Sequence, residues 1–170
     1  MTAAPPLTLD EVDALAARAH AGQYDRTGVP YVEHVRAVAA GVAPFGTGVR
    51  MAALLHDVLE DTPLTAVELL AAGVPAAVVA TVLRVTRTAG TDYRTMLLDV
   101  VTDHAATLVK IADNAHNSRA DRAALLPAAD RARLAERYRD ARAVLWPAVA
   151  EADVRTIVGA VNPDLLAELD

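Results

Sequence analysis

The sequence predicts an all-α protein, folded as a compact bundle of about eight helices. Apolar residues recur along it at helical spacing, and helix-capping signals precede several of these runs. Alanine is abundant while aromatic residues make up only 4% of the chain, a composition that favours closely packed helices over a sheet. A chain of 170 residues, 54% of them hydrophobic, is expected to form a single domain over residues 1–170 with a sizeable core.

The first third of the chain predicts three helices. The capping box formed by Thr8 and Glu11 begins a helix that runs to about Ala21, where Gly22 ends it. Residues 23–30 form a loop, and a second helix follows over about 31–42. A break at 44–48 then precedes a helical run that includes residues 54–61.

Capping and stop signals also divide the rest of the chain into helices. They are predicted from Thr65 to Gly73, over 75–86, over 92–101, from Asp103 through 117, over 127–149 with a perturbation at Pro147, and from Asn162 onward. The valines in 75–86 are equally typical of a strand, but the sequence contains no evident partner strand, so a helix is expected there.

Composition excludes several classes of function. The net charge is −6, from 16 basic and 22 acidic residues, whereas nucleic-acid binders usually carry a basic excess. The absence of cysteine removes disulfides, thiolate zinc sites and cysteine nucleophiles. No apolar run approaches ~18 residues and the start is not basic, so we expect no membrane partner and a cytoplasmic location. The alanine-rich helices would permit a homodimer without requiring one.

The stretch 54–61 places polar residues inside an otherwise apolar helical run. At about 100° per residue, its leucines and valine occupy one side, and His56, Asp57, Glu60 and Asp61 occupy the other. No lysine or arginine lies nearby to balance the three carboxylates, so clustering them beside a histidine is costly unless a cation compensates. The stretch is therefore either an exposed acidic face or part of a metal site.

Residues on two other predicted helices could complete such a site. His34 lies on the first turn of the second helix, while Lys110, Asp113 and Asn117 share one face of the helix over 108–117. That face is typical of a metal-phosphate site, and a solvated helix surface, which is the commoner case, uses the same residue types. Two histidines and two aspartates without cysteine suit Mn²⁺, Fe²⁺ or Zn²⁺ with open coordination positions.

Three segments carry a family resemblance. The first segment, AHAGQ at 19–23 followed by GVPYVEH at 28–34, is similar to the pattern AHxGQxRKxGxPYxxHP. The second, ALLHDVLEDT at 53–62, is similar to ALLHDxxEDT. The third, VKIAD at 109–113 and on through Asn117, is similar to VKLADRxxN. These words, in this order, resemble the HD-domain metal-dependent phosphohydrolases. The match is to the Rel/Spo hydrolase domain and the small alarmone hydrolases of the metazoan SpoT-homologue type.

The resemblance implies a fold, a reaction and roles for individual residues. The fold would be the helical HD-domain bundle, and the reaction would release pyrophosphate from the 3′ position of a nucleotide such as ppGpp. The residues that would bind one Mn²⁺ ion, with Fe²⁺ or Zn²⁺ as less favoured ions, are His34, His56, Asp57 and Asp113. Glu60 and Asp61 would activate the attacking water or relay its protons, and Asn117 and Tyr138 would contact the nucleotide. Arg26, Lys110 and Arg87 are candidates for binding its phosphates.

Departures from the pattern leave the substrate open. Asp25 and Arg26 stand where the family has Arg-Lys, and a carboxylate at position 25 cannot donate as a guanidinium does. The base could be adenine, or the protein could be an HD phosphohydrolase acting on another nucleotide or phosphorylated metabolite. A non-catalytic nucleotide-binding HD module is a third reading. Among the other histidines, His20 is expected to hydrogen-bond within the structure, and His104 and His116 to be bystanders.

Overall fold

A computed structural model describes residues 5–170. Within that span the protein is all α-helical, as predicted, with short 3₁₀ turns and no β-strand. The helices are α1 Leu9–Ala19, α2 Tyr31–Gly41, α3 Thr47–Leu55, α4 Val58–Asp61, α5 Ala66–Ala71, α6 Ala76–Val85, α7 Tyr93–Val100, α8 His104–Asn117, α9 Ala120–Ala124, α10 Ala128–Leu145 and α11 Glu151–Val161. No helix of residues 5–170 is long and apolar enough to cross a membrane.

Residues 5–170 contain eleven α-helices, more than the predicted number of about eight, for three local reasons, whereas the helix expected from Asn162 is a 3₁₀ helix over Pro163–Glu168. The run through 54–61 is divided at His56 and Asp57 into α3 and α4. A short helix, α9, precedes Pro127. The long helix expected over 127–149 ends at Leu145, and α11 then begins at Glu151.

Helix α8 lies at the centre of the core. It packs against α2, α3, α6, α10 and α11, and apart from Lys110 its residues 106–115 are buried. Helices α2 and α3 also pack against each other, and α1 covers α3. This packing places His34 of α2, His56 at the end of α3 and Asp113 of α8 on adjoining helices in the interior.

Helix α11 braces α2 and α8 from one side. The side-chain amide of Asn162, just beyond α11, donates to the carbonyl of Ala115 in α8 at 3.0 Å. Arg119 donates through Nη1 to the carbonyl of Val161 at 3.2 Å. Gly41, the last residue of α2, faces the buried side chain of Val161 so closely that any Cβ at position 41 would overlap it. The contact between α2 and α11 therefore requires glycine.

We expect Gly41→Ala to lower the free energy of unfolding by about 1–3 kcal/mol, because the new methyl group forces the β-branched Val161 and its helix to shift. Urea unfolding followed by circular dichroism measures the loss. The matched control is Gly159→Ala in α11, where a Cβ would meet nothing within 4 Å. It should be neutral or stabilise by up to about 1 kcal/mol, as alanine favours helix. Equal effects of the two substitutions would contradict the close approach.

Candidate active site

The histidine-aspartate pair lies at the junction between α3 and α4. The residues of α3 from Met51 to Leu55 are buried, as are His56 and Val58, whereas Glu60 and Asp61 at the end of α4 are exposed. The imidazole of His56 folds back and its Nδ1 lies 2.7 Å from the carbonyl oxygen of Ala53. The amide of Asp61 still donates to the carbonyl of Asp57 at 2.9 Å, so the local geometry stays close to helical across the break.

Two imidazoles and two carboxylates converge at this point. His34 Nε2 lies 3.5 Å from Asp57 Oδ2 and 3.3 Å from Asp113 Oδ1. His56 Nε2 lies 3.0 Å and 3.6 Å from the same two oxygens. The structure thus brings together all four residues that the sequence analysis assigned to a metal, from α2, the α3–α4 junction and α8.

The four side chains fit a divalent metal ion. His56 Nε2 is buried, and although it lies 3.0 Å from Asp57 Oδ2 it makes no well-aligned hydrogen bond within residues 5–170, which is costly for a polar atom unless something binds it. Because Nδ1 of the same ring faces the Ala53 carbonyl, Nδ1 carries a proton, and Nε2 would present its lone pair to an ion once its own proton is displaced. Candidate ligand atoms of His34, His56 and Asp57 lie within 4.8 Å of one another, close enough to bind one ion. Nitrogen and carboxylate donors of this kind bind divalent cations.

The charged groups of the cluster strongly shift one another's pKa values. Burial opposes charge on His56, but Asp57 and Asp113 outweigh it and raise the pKa of His56 to about 10. Burial likewise opposes ionisation of Asp57 and Asp113, yet His56 and, at Asp113, Lys110 hold both carboxyl pKa values well below the ordinary range. Protons and a metal ion therefore compete for the same imidazole nitrogens, and metal binding should release protons.

Further side chains fix the carboxylates. The hydroxyl of Tyr31 donates to Asp57 Oδ2 at 2.7 Å. Asp113 accepts from Lys110 Nζ at 2.8 Å through Oδ2 and from Asn117 Nδ2 at 2.6 Å through Oδ1. The shared helix face of Lys110, Asp113 and Asn117 is thus turned towards the cluster, and Lys110 is occupied by a carboxylate.

His116 contacts the cluster directly, contrary to the expectation that it is a bystander. Its Nδ1 lies 2.8 Å from Nδ1 of His34. With a metal ion on Nε2 of His34, or with that ring protonated, its Nδ1 carries a proton and donates, so His116 accepts. Burial and the neighbouring charges of His34, Arg122 and Arg119 lower the pKa of His116 to about 4, which keeps it neutral and able to accept. By contrast, His104 is exposed at the start of α8.

We expect His116→Leu to weaken divalent-metal binding by about 10- to 100-fold, since His34 loses the acceptor that fixes its ring. His116→Asn should restore most of the affinity, because an amide oxygen can take the place of Nδ1. Calorimetric titration with Mn²⁺ and with Zn²⁺ measures both variants. His104→Asn is the control. Equal affinities for the leucine and asparagine variants would contradict a hydrogen-bonding role for His116.

The remaining acidic candidates, Glu60 and Asp61, lie on α4 beside the cluster. Glu60 accepts the backbone N–H of Arg87 at 3.1 Å. Partial burial and the charge of Asp57 raise the pKa of Asp61. Gln23 donates to the carbonyl of Asp61 at 2.9 Å, and its own amide oxygen lies 2.8 Å from Nδ1 of His20. His20 therefore takes part in a hydrogen-bonded chain that holds this end of α4.

A cavity of about 270 Å³ adjoins the cluster. Tyr31 and Asn117, which bind the two cluster aspartates, form part of its wall. The full lining is Tyr24, Asp25, Arg26, Thr27, Tyr31, Asn117, Arg122, Leu126, Leu134 and Tyr138. Three of the predicted substrate-binding residues, Arg26, Asn117 and Tyr138, thus meet in one cavity. Lys110 and Arg87 do not line it, and Arg87 borders a separate recess with Glu60.

Such a helical bundle, which gathers two imidazoles and two carboxylates from neighbouring helices, has the arrangement of an α-helical domain suited to bind a divalent metal ion. More narrowly, the sequence model of the HD domain matches residues 13–145, and the chain belongs to the HD domain family.

Several proteins are similar to the chain. It is 37% identical over 118 residues to a guanosine-3′,5′-bis(diphosphate) 3′-pyrophosphohydrolase of Haemophilus influenzae, and the match covers 62% of this chain and 17% of that protein. The bifunctional (p)ppGpp synthase/hydrolase SpoT of Escherichia coli K12 is 37% identical over 117 residues, with the same coverage. A probable GTP pyrophosphokinase of Mycobacterium leprae is 35% identical over 132 residues, 71% of this chain and 16% of that protein. The chain therefore spans only about a sixth of these relatives.

The fold is shared with a solved structure of a metazoan ortholog of SpoT, described as hydrolysing ppGpp. That structure superimposes with a TM-score of 0.77 at 22% identity and covers 98% of both chains. At this identity the likeness shows that the two chains share a fold over nearly their whole length.

Proposed function

We propose that the protein is a manganese-dependent hydrolase that removes the 3′-pyrophosphate from a (p)ppGpp-like nucleotide. The observation that carries the proposal is the four-residue cluster beside a cavity with cationic and aromatic walls. The name of the Haemophilus influenzae relative supports the same reaction and substrate.

His34, His56, Asp57 and Asp113 would hold the ion. A divalent ion bound there would supply positive charge to the attacked phosphate and lower the pKa of a water molecule. Tyr31 and Lys110 donate hydrogen bonds to Asp57 and Asp113, which hold the two carboxylates in place and offset part of their negative charge. Asp61, whose pKa is raised, is suited to take up a proton from the attacking water, and Glu60 holds the neighbouring backbone of Arg87 in place.

The cavity beside the cluster would hold the nucleotide. Tyr138 and Tyr24 offer ring faces, and Leu126 and Leu134 add apolar surface, which together suit a purine base. Arg26 and the amide of Asn117 supply donors for phosphate or ribose oxygens.

Purified protein with Mn²⁺, offered ppGpp, should release pyrophosphate and leave a nucleotide without a 3′-phosphate. The assay should include pppApp, NADPH and nucleoside monophosphates in parallel, and Mg²⁺ and Zn²⁺ in place of Mn²⁺. Orthophosphate release from simple monophosphates would replace the proposal with a general HD phosphatase. Tight nucleotide binding without turnover would indicate a non-catalytic module.

A further inference from the structure

Asp25 accepts hydrogen bonds from its own loop and from an arginine on another element. Its Oδ1 accepts from the Thr27 amide at 2.8 Å, from the Thr27 hydroxyl at 2.7 Å and from the Val29 amide at 3.0 Å. Its Oδ2 accepts from Nη1 of Arg122 at 2.5 Å. The Asp25 side chain lies at the wall of the 270 Å³ cavity but is only 3% exposed, so its charge is largely covered by the groups that donate to it.

Arg122 is placed to contact a ligand. It reaches from α9 to the 23–30 loop, and its side chain is one-fifth exposed. It forms part of the wall of the 270 Å³ cavity and of a neighbouring cavity that contains His34 and His116. Across residues 5–170 its guanidinium donates only to Asp25, through Nη1, which leaves its other N–H groups for a ligand.

We propose that Arg122, held in place by Asp25, is a specificity-determining residue that selects guanine over adenine in this cavity. The inference rests on the proposed function, since it takes the cavity to be where the nucleotide base binds. Position 25, where the family pattern has arginine, is aspartate in this chain. The proposal places the corresponding guanidinium on Arg122, 97 positions away in the sequence.

The selection follows from the hydrogen-bonding groups of the two bases. Guanine presents two neighbouring acceptors, O6 and N7, which match a guanidinium that can only donate. Adenine presents an amino group at the corresponding position, which meets the guanidinium donor to donor. The acceptor that could satisfy that amino group, Asp25, is hidden beneath Arg122. Removing the guanidinium would uncover the Asp25 carboxylate and favour adenine.

The test compares kcat/KM for ppGpp and ppApp in the Mn²⁺-loaded protein and in Arg122→Met. We expect the guanine-to-adenine preference to fall by about 10- to 100-fold, the usual range for a bidentate contact to a base. Arg133→Met, an exposed arginine on α10, is the matched control and should leave the preference unchanged. The double variant Asp25→Asn/Arg122→Met avoids an unpaired buried carboxylate. It should lose the preference for ppGpp over ppApp without gaining activity on ppApp.

Two further measurements make the result decisive. Circular dichroism melting shows whether each variant is folded. Binding of fluorescently labelled GDP and ADP, followed by anisotropy, reports base preference without turnover. If the unaltered protein cleaves neither alarmone, the proposed function fails while the binding ratio still decides the role of Arg122. Equal losses for both bases would identify a phosphate contact and overturn the proposal, as would an unchanged ratio in folded Arg122→Met.

Discussion

His56→Ala should abolish divalent-metal binding and lower hydrolysis of the 3′-pyrophosphate by about 10³-fold or more, since a catalytic metal contributes several kcal/mol to transition-state stabilisation. The substitution removes the buried nitrogen that makes no well-aligned hydrogen bond in the described part of the chain, and it leaves Asp57 and Asp113 facing each other without the charge that balances them. Calorimetric titration with Mn²⁺ measures the loss of binding, and pyrophosphate release measures the loss of activity.

The exposed His104 supplies the control, because His104→Ala removes an imidazole from α8 without touching the cluster. The rise in melting temperature on adding Mn²⁺ gives a second readout, and it should disappear in His56→Ala only. Stoichiometric metal binding with full activity in a folded His56→Ala protein would exclude the cluster as the metal site.

Asp61→Asn should lower kcat by about 10²- to 10⁴-fold, the range associated with loss of a general acid or base, while metal affinity stays unchanged. The amide keeps the shape of the side chain and cannot take up a proton. Asp61 holds its position through backbone contacts to Gln23 and Asp57, which the substitution leaves intact.

Glu60→Gln is the informative companion to Asp61→Asn. A glutamine can still accept the Arg87 amide, so this variant should retain much more activity if Glu60 mainly positions that segment. The reverse order of losses would exchange the roles assigned to the two residues. A loss of metal affinity in Asp61→Asn would show that Asp61 acts through the metal site rather than as a base.

The fold class and most helix positions could be predicted from the sequence because capping boxes and apolar periodicity are local signals. The capping box predicted at Thr8 is present in the structure, and the helix predicted to begin at Thr65 also begins with a capping box, formed with Glu68. The division between α3 and α4 could not be predicted, since the apolar periodicity continues unbroken through Asp57 and the sequence there contains no proline or glycine. Helix α11 carried a detectable signal, because its buried residues Val154, Ile157, Val158 and Val161 follow helical spacing.

The candidate metal ligands could be named from the sequence because each lies in a short, recognisable word. Lys110 and Asn117, which hold Asp113, could be named as well because they share its helix face. Contacts that depend on packing between distant segments could not: His34 and His116 are 82 residues apart, and the Asp25–Arg122 pair beside the cavity is 97 residues apart. Among the residues that hold the ligands, Tyr31 was also open to inference from the sequence, because it lies one turn before His34 on α2 and so shares its helix face.

The brace formed by α11 has a practical consequence for where this protein can be shortened. The match to the HD domain ends at residue 145, and α11 lies entirely beyond it. Expression of the matched span alone would expose Gly41. It would also remove the Asn162 amide that donates to the carbonyl of Ala115, a residue two positions from Asp113. The boundary of the folding unit is therefore wider than the boundary of sequence similarity, and a shortened version should extend past Asn162.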